Sequence, residues 1–329
     1  LAVALKALIP TKQPVYLWGP PGVGKSSIVK QATDGLELEM LDIRAVLLDP
    51  VDLRGLPRIH GENGDGTAEW CPPKFLPRQG KGVVFLDELA QAPPLVQAAC
   101  LQLTLDRRVG EYELPPDWTI VAASNRAEDR AGAHRLISPL LNRFIHLDLE
   151  VSHDDWHAWA ITAGIAPEVR AFLRFKPALL HAFDPSAGAR AFPTPRSWEF
   201  VARTLPAVPD ILRHPVFAGT VGDGPAAEFV AFLQIYQQLP DPDQVLANPT
   251  GSTVPREPSV LYALCGALTE KVRRGEAKHW LAFTKYVSRM PDEFGVLAMR
   301  DGCACQPRLL QLPEAASWVK SHRDILLAR

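Results

Sequence analysis

Between residues 14 and 150, short near-continuous apolar runs alternate with stretches of helical periodicity. Five runs read as strands, at 15–18, 38–43, 83–86, 118–123 and 144–149. Runs that are apolar at successive positions, rather than at alternate ones, suit strands covered on both faces. A parallel sheet with helices on either side meets that need. Between the third and fourth runs, Val96, Cys100 and Leu103 recur at helical spacing and predict a helix. Two stretches interrupt the alternation. Residues 54–80 hold GENGDG between Ile59 and Trp70, with Pro72, Pro73, Pro77 and Phe75 following, and predict a hairpin with a mobile tip. Residues 107–114 predict a second short turn around Gly110. Insertions of this kind commonly carry function, and the aromatic content around Trp70 and Phe75 points to contact with a partner or client.

After Glu150 the strand pattern stops and helical patterns take over, first at 170–180 and 197–205. Gly222-Asp-Gly-Pro225 marks a boundary, with Asp223 or Gly224 as cap and Pro225 in the first turn. Phe229, Phe232, Leu233 and Tyr236 form the next apolar stripe. The Pro-rich stretch 240–258 reads as a linker or long loop. Leu261, Leu264, Cys265 and Leu268 mark a further helix, and a last one begins near Pro313 with Trp318, Val319 and Leu326 on one face. The expected division is 1–150, 151–215 and 216–329: an α/β unit, a small helical unit and a mostly helical C-terminal region.

Composition narrows the function classes. Lys and Arg number 35 against 37 Asp and Glu, so the formal charge of -2 gives no global attraction to nucleic acid. No apolar run approaches the ~18 residues of a membrane span. The opening LAVALKALIP is too short and poorly flanked for a secretory leader, and its start at Leu1 points to a natural start upstream. Five scattered cysteines suggest reduced thiols and a cytoplasmic protein. Cys303 and Cys305 lack a second pair at metal-ligand spacing. His153 and His157 share a helical face, but Asp-Asp follows the first, so they read as solvated helix residues rather than zinc ligands.

The chemistry is concentrated in the first unit. Gly19-Pro20-Pro21-Gly22-Val23-Gly24-Lys25-Ser26 follows the apolar VYLW and precedes a helical stretch that opens with Ser26-Ser27. This is the phosphate-cradling loop in its required strand–loop–helix context. Its glycines allow backbone N–H groups to close around phosphate oxygens, aided by the helix N-terminus. Lys25 is placed for the β- and γ-phosphates, and Ser26 for Mg²⁺. Val83-Val-Phe-Leu-Asp87-Glu88 ends a buried strand in two carboxylates. Asp87 is the expected second magnesium-site residue and Glu88 the group that polarises the attacking water. Asn125, at the tip of WTIVAAS, is placed to hold that water and sense the γ-phosphate. The expected cofactors are therefore ATP and Mg²⁺.

The succession GPPGVGKS, VVFLDELAQAPPLVQAACLQLTLDRRV, VAASN, SPLLNRF and TPRSW resembles the MoxR branch of the AAA+ ATPases over about residues 10–205. The acid pair, the proline pair and the Gln-rich helix ending in a basic turn are the most branch-specific part. The resemblance implies a five-stranded parallel αβα P-loop domain with a helical lid, usually a hexamer of identical chains. It implies inserts where 54–80 and 107–114 fall. By the same resemblance Arg143, in Leu-Leu-Asn-Arg-Phe, matches the arginine finger given to a neighbouring subunit, and Arg196, in Thr-Pro-Arg-Ser, matches the lid's sensor-2 arginine. Asn142 stands where many relatives carry Asp.

Relatives of this branch act as chaperone-like motors on a protein client, commonly with a partner bearing a von Willebrand factor A-like domain. An AAA+ nucleic-acid motor or loader is the alternative, disfavoured by the near-neutral charge. A scaffold that binds ATP without turnover is disfavoured by Glu88 and Arg143. A Ras-like GTPase is disfavoured because no Asn-Lys-x-Asp motif follows the sheet.

Overall fold

The computed structural model describes residues 1–60, 67–129 and 136–322. The GENGDG turn at 61–66 and Leu326 lie outside them. Two compact units emerge: Leu1–Glu150 with Asp184–Ala187, and Val151–Phe183 with the described residues from Gly188 onward.

The first unit contains strands β1 (Val15–Trp18), β2 (Glu39–Arg44), β3 (Leu56–His60), β4 (Thr67–Cys71), β5 (Gly82–Asp87), β6 (Arg108–Val109), β7 (Tyr112–Glu113), β8 (Trp118–Ser124) and β9 (Ile145–Asp148). Five of them form one parallel sheet in the order β2-β5-β8-β1-β9. Side chains alternate across it, as the pleat demands. Tyr16, Val84, Leu86, Ile120 and Ala122 enter one core with Val96, Cys100 and Leu103 of the helix Pro94–Asp106. Val15, Leu17, Val83, Phe85, Val121 and Ala123 enter the other, with Leu5 of the helix Ala2–Leu8 and Val29 and Ala32 of the helix Lys25–Asp34. The result is an αβα sandwich with a five-stranded parallel sheet, as the apolar runs predicted.

Burial on both faces holds for β1, β5 and β8 and fails for β2 and β9, in which Ile43 is the one buried residue. Each of those two has only one neighbouring strand, and the apolar content of a run does not encode its place in the sheet. Both predicted hairpins are present. β3 pairs antiparallel with β4, Ile59 opposite Ala68, and every residue of both strands is exposed. β6 pairs with β7 around Gly110, whose φ of 59° is the left-handed turn conformation glycine accepts without strain.

The second unit is helical throughout its described residues. One core is aromatic: Phe172 of the helix Pro167–Phe175 lies 5.4 Å from Trp198 and 5.2 Å from Phe229 between ring centroids. Trp198 belongs to the helix Pro195–Thr204 and Phe229 to the helix Asp223–Gln237, for which Gly222 rather than Asp223 or Gly224 is the cap. The stretch 240–258 is not all loop: Pro242–Ala247 is a short helix that buries Val245 and Leu246. Leu261, Leu264, Cys265 and Leu268 are buried on the helix Pro258–Arg274, and Trp318 on the helix Pro313–Ser321. Among the described residues no helix is long and apolar enough to cross a membrane.

His153 and His157 do share a face of the helix His153–Thr162, with ring centroids 6.0 Å apart, but they are not solvated. His157 is 3% exposed, and its Nε2 lies 2.9 Å from Asp301 Oδ2; Arg174 donates to Asp301 Oδ1 at 2.7 Å. Burial pushes His157 below the ordinary histidine range, against the raising pull of Asp301. Burial, then the Arg174 charge, pushes His153 down to about 4. For Asp301 burial alone would raise the carboxyl, but His157 and the cations of Arg174 and Arg300 outweigh it and hold it low. His157 is accordingly neutral and donates from Nε2 to an ionised Asp301, while its Nδ1 finds no partner among the described residues.

Candidate functional site

β1 ends at Trp18, and the loop Gly19-Pro20-Pro21-Gly22-Val23-Gly24 leads into the helix Lys25–Asp34. The Gly19 N–H donates to Ser124 O at 3.3 Å, which seats the loop against the end of β8. A Cβ at Gly19 would lie 3.0 Å from Leu149 O, so the close approach favours glycine. Gly22 and Gly24 have φ of 73° and 97°, which other residues rarely adopt. No side chain of Gly24 caps the start of the helix. A helix start of this kind suits phosphate oxygens. Ser27, on the outer side of the first turn, is exposed.

Lys25 Nζ donates to Gly19 O at 2.8 Å, to Pro20 O at 3.1 Å and to Asn125 Oδ1 at 2.7 Å. Ser26 Oγ donates to Asp87 Oδ2 at 3.2 Å. The Glu88 N–H donates to Asp87 Oδ1 at 3.0 Å, and Glu88 itself is held at φ 58°, ψ 33°. Lys25, Ser26, Asp87 and Asn125 thus converge, with Glu88 covalently attached to the group. They lie past the carboxyl ends of β1, β5 and β8, adjacent strands of the sheet. That crevice is where open parallel α/β sheets bind ligands. An ammonium, a helix start, a hydroxyl and two carboxylates are the donor set that a polyphosphate and a hard, oxygen-preferring cation require.

Arg143 stands apart. It is exposed, in the turn between the helix Ser138–Leu141 and the edge strand β9. Because β1 and β9 run parallel side by side, a residue before β9 sits at the opposite end of the strands from residues after β1. Arg196 is exposed on the first turn of the helix Pro195–Thr204 in the second unit. Much of Thr-Pro-Arg-Ser serves to start that helix: Thr194 Oγ1 accepts from Ser197 N at 3.0 Å, and Ser197 Oγ from Thr194 N at 2.8 Å. This reciprocal capping explains Thr194, Pro195 and Ser197 without reference to a ligand, and leaves Arg196 as the residue facing outward.

Sequence reasoning missed the residues around this group. Arg126 follows Asn125, and its N–H donates to Asp129 Oδ2 at 2.9 Å while its guanidinium lies 3.6 Å from Asp148. Tyr16, Trp18, Ser124 and His146 form a layer beneath the loop, and no local pattern marks them.

Residues 14–144 match the family described as AAA domain (dynein-related subfamily). The match and the fold make the first unit a P-loop nucleotide-binding domain of the AAA+ type. No curated protein matches the chain. Among solved structures, NtrX from Brucella abortus bound to ADP is similar at 15% identity, covering 98% of this chain and 67% of that one, with a TM-score of 0.40. A RuvB mutant from Thermotoga maritima is similar at 19%, covering 82% and 80%, TM-score 0.40. A putative ATPase from Cytophaga hutchinsonii follows at 14%, covering 97% and 78%, TM-score 0.36. Likenesses so distant transfer neither substrate nor partner.

Proposed function

We propose that this chain is an ATP-hydrolysing motor of the MoxR type whose sites are completed between copies of itself. The observation that carries it is the convergence of Lys25, Ser26, Asp87 and Asn125, with Arg143 exposed at the opposite end of the strands of the same sheet. Lys25 and the helix start hold the β- and γ-phosphates. Ser26 and Asp87 are the residues that would hold magnesium, which supplies charge neutralisation on the phosphates when bound. Glu88 takes the proton of the attacking water, and Asn125, released from Lys25, orients that water. Arg143 of a neighbouring copy stabilises the charge of the transferring phosphoryl group, and Arg196 reads the nucleotide from the helical lid.

The remaining assignments are a ring, of six by resemblance to relatives, in the cytoplasm, and a protein client, with a von Willebrand factor A-like partner. A protein client is favoured over a nucleic acid by the β3–β4 ribbon. Pro57, Ile59, Ala68 and Trp70 share one face of it, exposed and apolar, and phosphate backbones call instead for Lys and Arg. The test is phosphate release from Arg143→Ala and Lys25→Ala proteins, each inactive alone. Mixing them should restore part of the wild-type rate, because some interfaces pair an intact finger with an intact loop. No restoration at any ratio, with a wild-type rate independent of concentration, would show a site completed within one chain.

A further inference from the structure

The Arg143 turn is tied to the phosphate loop of its own subunit by two side chains. His146, on β9, directs Nε2 to Leu141 O at 2.8 Å, back across the turn that carries Arg143. The backbone closes that turn through Arg143 N to Leu140 O at 3.1 Å, while Phe144 N is 3.5 Å from the carbonyl that His146 meets. The other ring nitrogen, Nδ1, accepts from Trp18 Nε1 at 2.9 Å. A single neutral tautomer, protonated at Nε2, satisfies both bonds. Trp18 is the last residue of β1 and is bonded covalently to Gly19, the first residue of the phosphate loop.

The contact continues under the site. Trp18 stacks on Tyr16 with ring centroids 4.4 Å apart, and Tyr16 meets Phe144 edge-on at 5.2 Å. The Tyr16 hydroxyl lies 2.7 Å from Ser124 Oγ, which accepts the Ala90 N–H at 2.7 Å. Ser124 precedes Asn125, and Ala90 follows Glu88 by two positions. One layer therefore touches the chain beside the phosphate loop, the acid pair, the asparagine and the arginine turn. Packing alone accounts for Tyr16 and Phe144, which are buried. It does not account for His146, which is exposed and yet bonded at both nitrogens.

We propose that Trp18 and His146 are positioning residues that set the Arg143 turn from the phosphate loop of the same subunit, so that each subunit's own loop governs the arginine it presents to its neighbour. The proposal rests on Arg143 acting in trans. A reacting group displaced by about 1 Å loses on the order of 10²-fold in rate, so a loosened turn has a measurable cost.

The test uses the mixture of Lys25→Ala and Arg143→Ala full-length proteins, in which restored turnover comes only from the finger of the first and the site of the second. Trp18→Phe, which keeps an aromatic side chain and removes the indole N–H, is added to the Lys25→Ala protein alone. That subunit's own loop is already inactive, so damage to its nucleotide site is silent, and only an effect on its finger is read. Restored turnover should fall by about tenfold or more, with the KM for ATP and the sedimentation of the mixture unchanged. Restored turnover within about twofold of the reference overturns the proposal and leaves the ATPase assignment standing. Failure of the reference mixture itself removes the trans finger, and the proposal with it. A second pair, His146→Gln and His146→Phe in the same subunit, separates the bonds from the fold. Gln reaches Leu141 O and should retain most of the rate, whereas Phe should lose it. Equal rates from the two would also overturn the proposal.

Discussion

The molecule holds two polar clusters built on opposite principles. In the first unit Lys25, Ser26, Asp87, Glu88 and Asn125 are half-buried, and their bonds to one another are of a kind an incoming ligand can replace. In the second, His157 and Asp301 are buried and Arg174 is half-buried, and burial has already shifted both histidines of that helix. Perturbed titration is often taken as a mark of chemistry. Here each shifted histidine is already held by a protein group, His157 by Asp301 and His153 by the Leu173 carbonyl, and the group suited to a ligand stands open at the strand ends. Access, more than perturbation, separates a site from a structural ion pair.

The largest effect expected sharpens the open side of that comparison. Lys25→Ala should abolish nucleotide binding, whereas Glu88→Gln should bind ATP within a few-fold of wild type and turn over about 10²–10⁴ times more slowly. Nucleotide titration and phosphate release distinguish the two, and wild-type turnover by Glu88→Gln would reject the role given to that carboxylate. The closed cluster should respond in stability instead. Asp301→Ala leaves Arg174 with only the exposed Asp154 as counter-charge and His157 Nε2 without its acceptor, and should lower stability by about 3–5 kcal/mol. Urea unfolding reads this directly; a change under about 0.5 kcal/mol would mean that the pair contributes nothing.

Acid should act on the same cluster with a defined sign. His153 and His157 have folded pKa values below the ordinary histidine value, so the unfolded chain binds more protons. Their contribution is complete above about pH 6.5 and is lost as pH falls from there toward about 4. The low pKa of Asp301 adds a loss of the same sign at lower pH, below the ordinary carboxylate range. Each protonating histidine steepens the decline by up to about 1.4 kcal/mol per pH unit. Urea midpoints across this range, compared with His153→Leu, should show a shallower slope in the variant. The smallest effect belongs to the exposed ribbon, where Ile59→Ser should move stability by no more than about 0.5 kcal/mol. A larger loss would place Ile59 against its own domain.

Legibility followed sequence distance. The phosphate loop, the acid pair and Asn125 were readable because each is a local run whose residues act where the chain puts them. Asp301 and His157 lie 144 positions apart and Trp18 and His146 lie 128 apart, and no local pattern announces such pairs. Prolines misled in one direction: Pro242 sits in the first turn of a helix, not in a linker, because a first-turn residue has no N–H bond to lose. Pro215, inside the helix Asp210–Val221, hid that element for the opposite reason. The exposure of β2 and β9 depended on strand order, which apolar content does not carry.

Glu88 carries a consequence for selection. It is a non-glycine residue in the left-handed region, a conformation that glycine or asparagine would occupy at less cost. A lineage free to optimise stability alone would drift toward one of those residues at this turn, gaining a fraction of the roughly 1–3 kcal/mol that such backbone strain represents. Either replacement deletes the carboxylate proposed to activate the attacking water. Lys12, Glu37 and Arg107 carry the same backbone strain without a proposed chemical role, so variants selected only for heat resistance should change at those positions as readily as at Glu88, whereas selection for turnover should spare Glu88 alone.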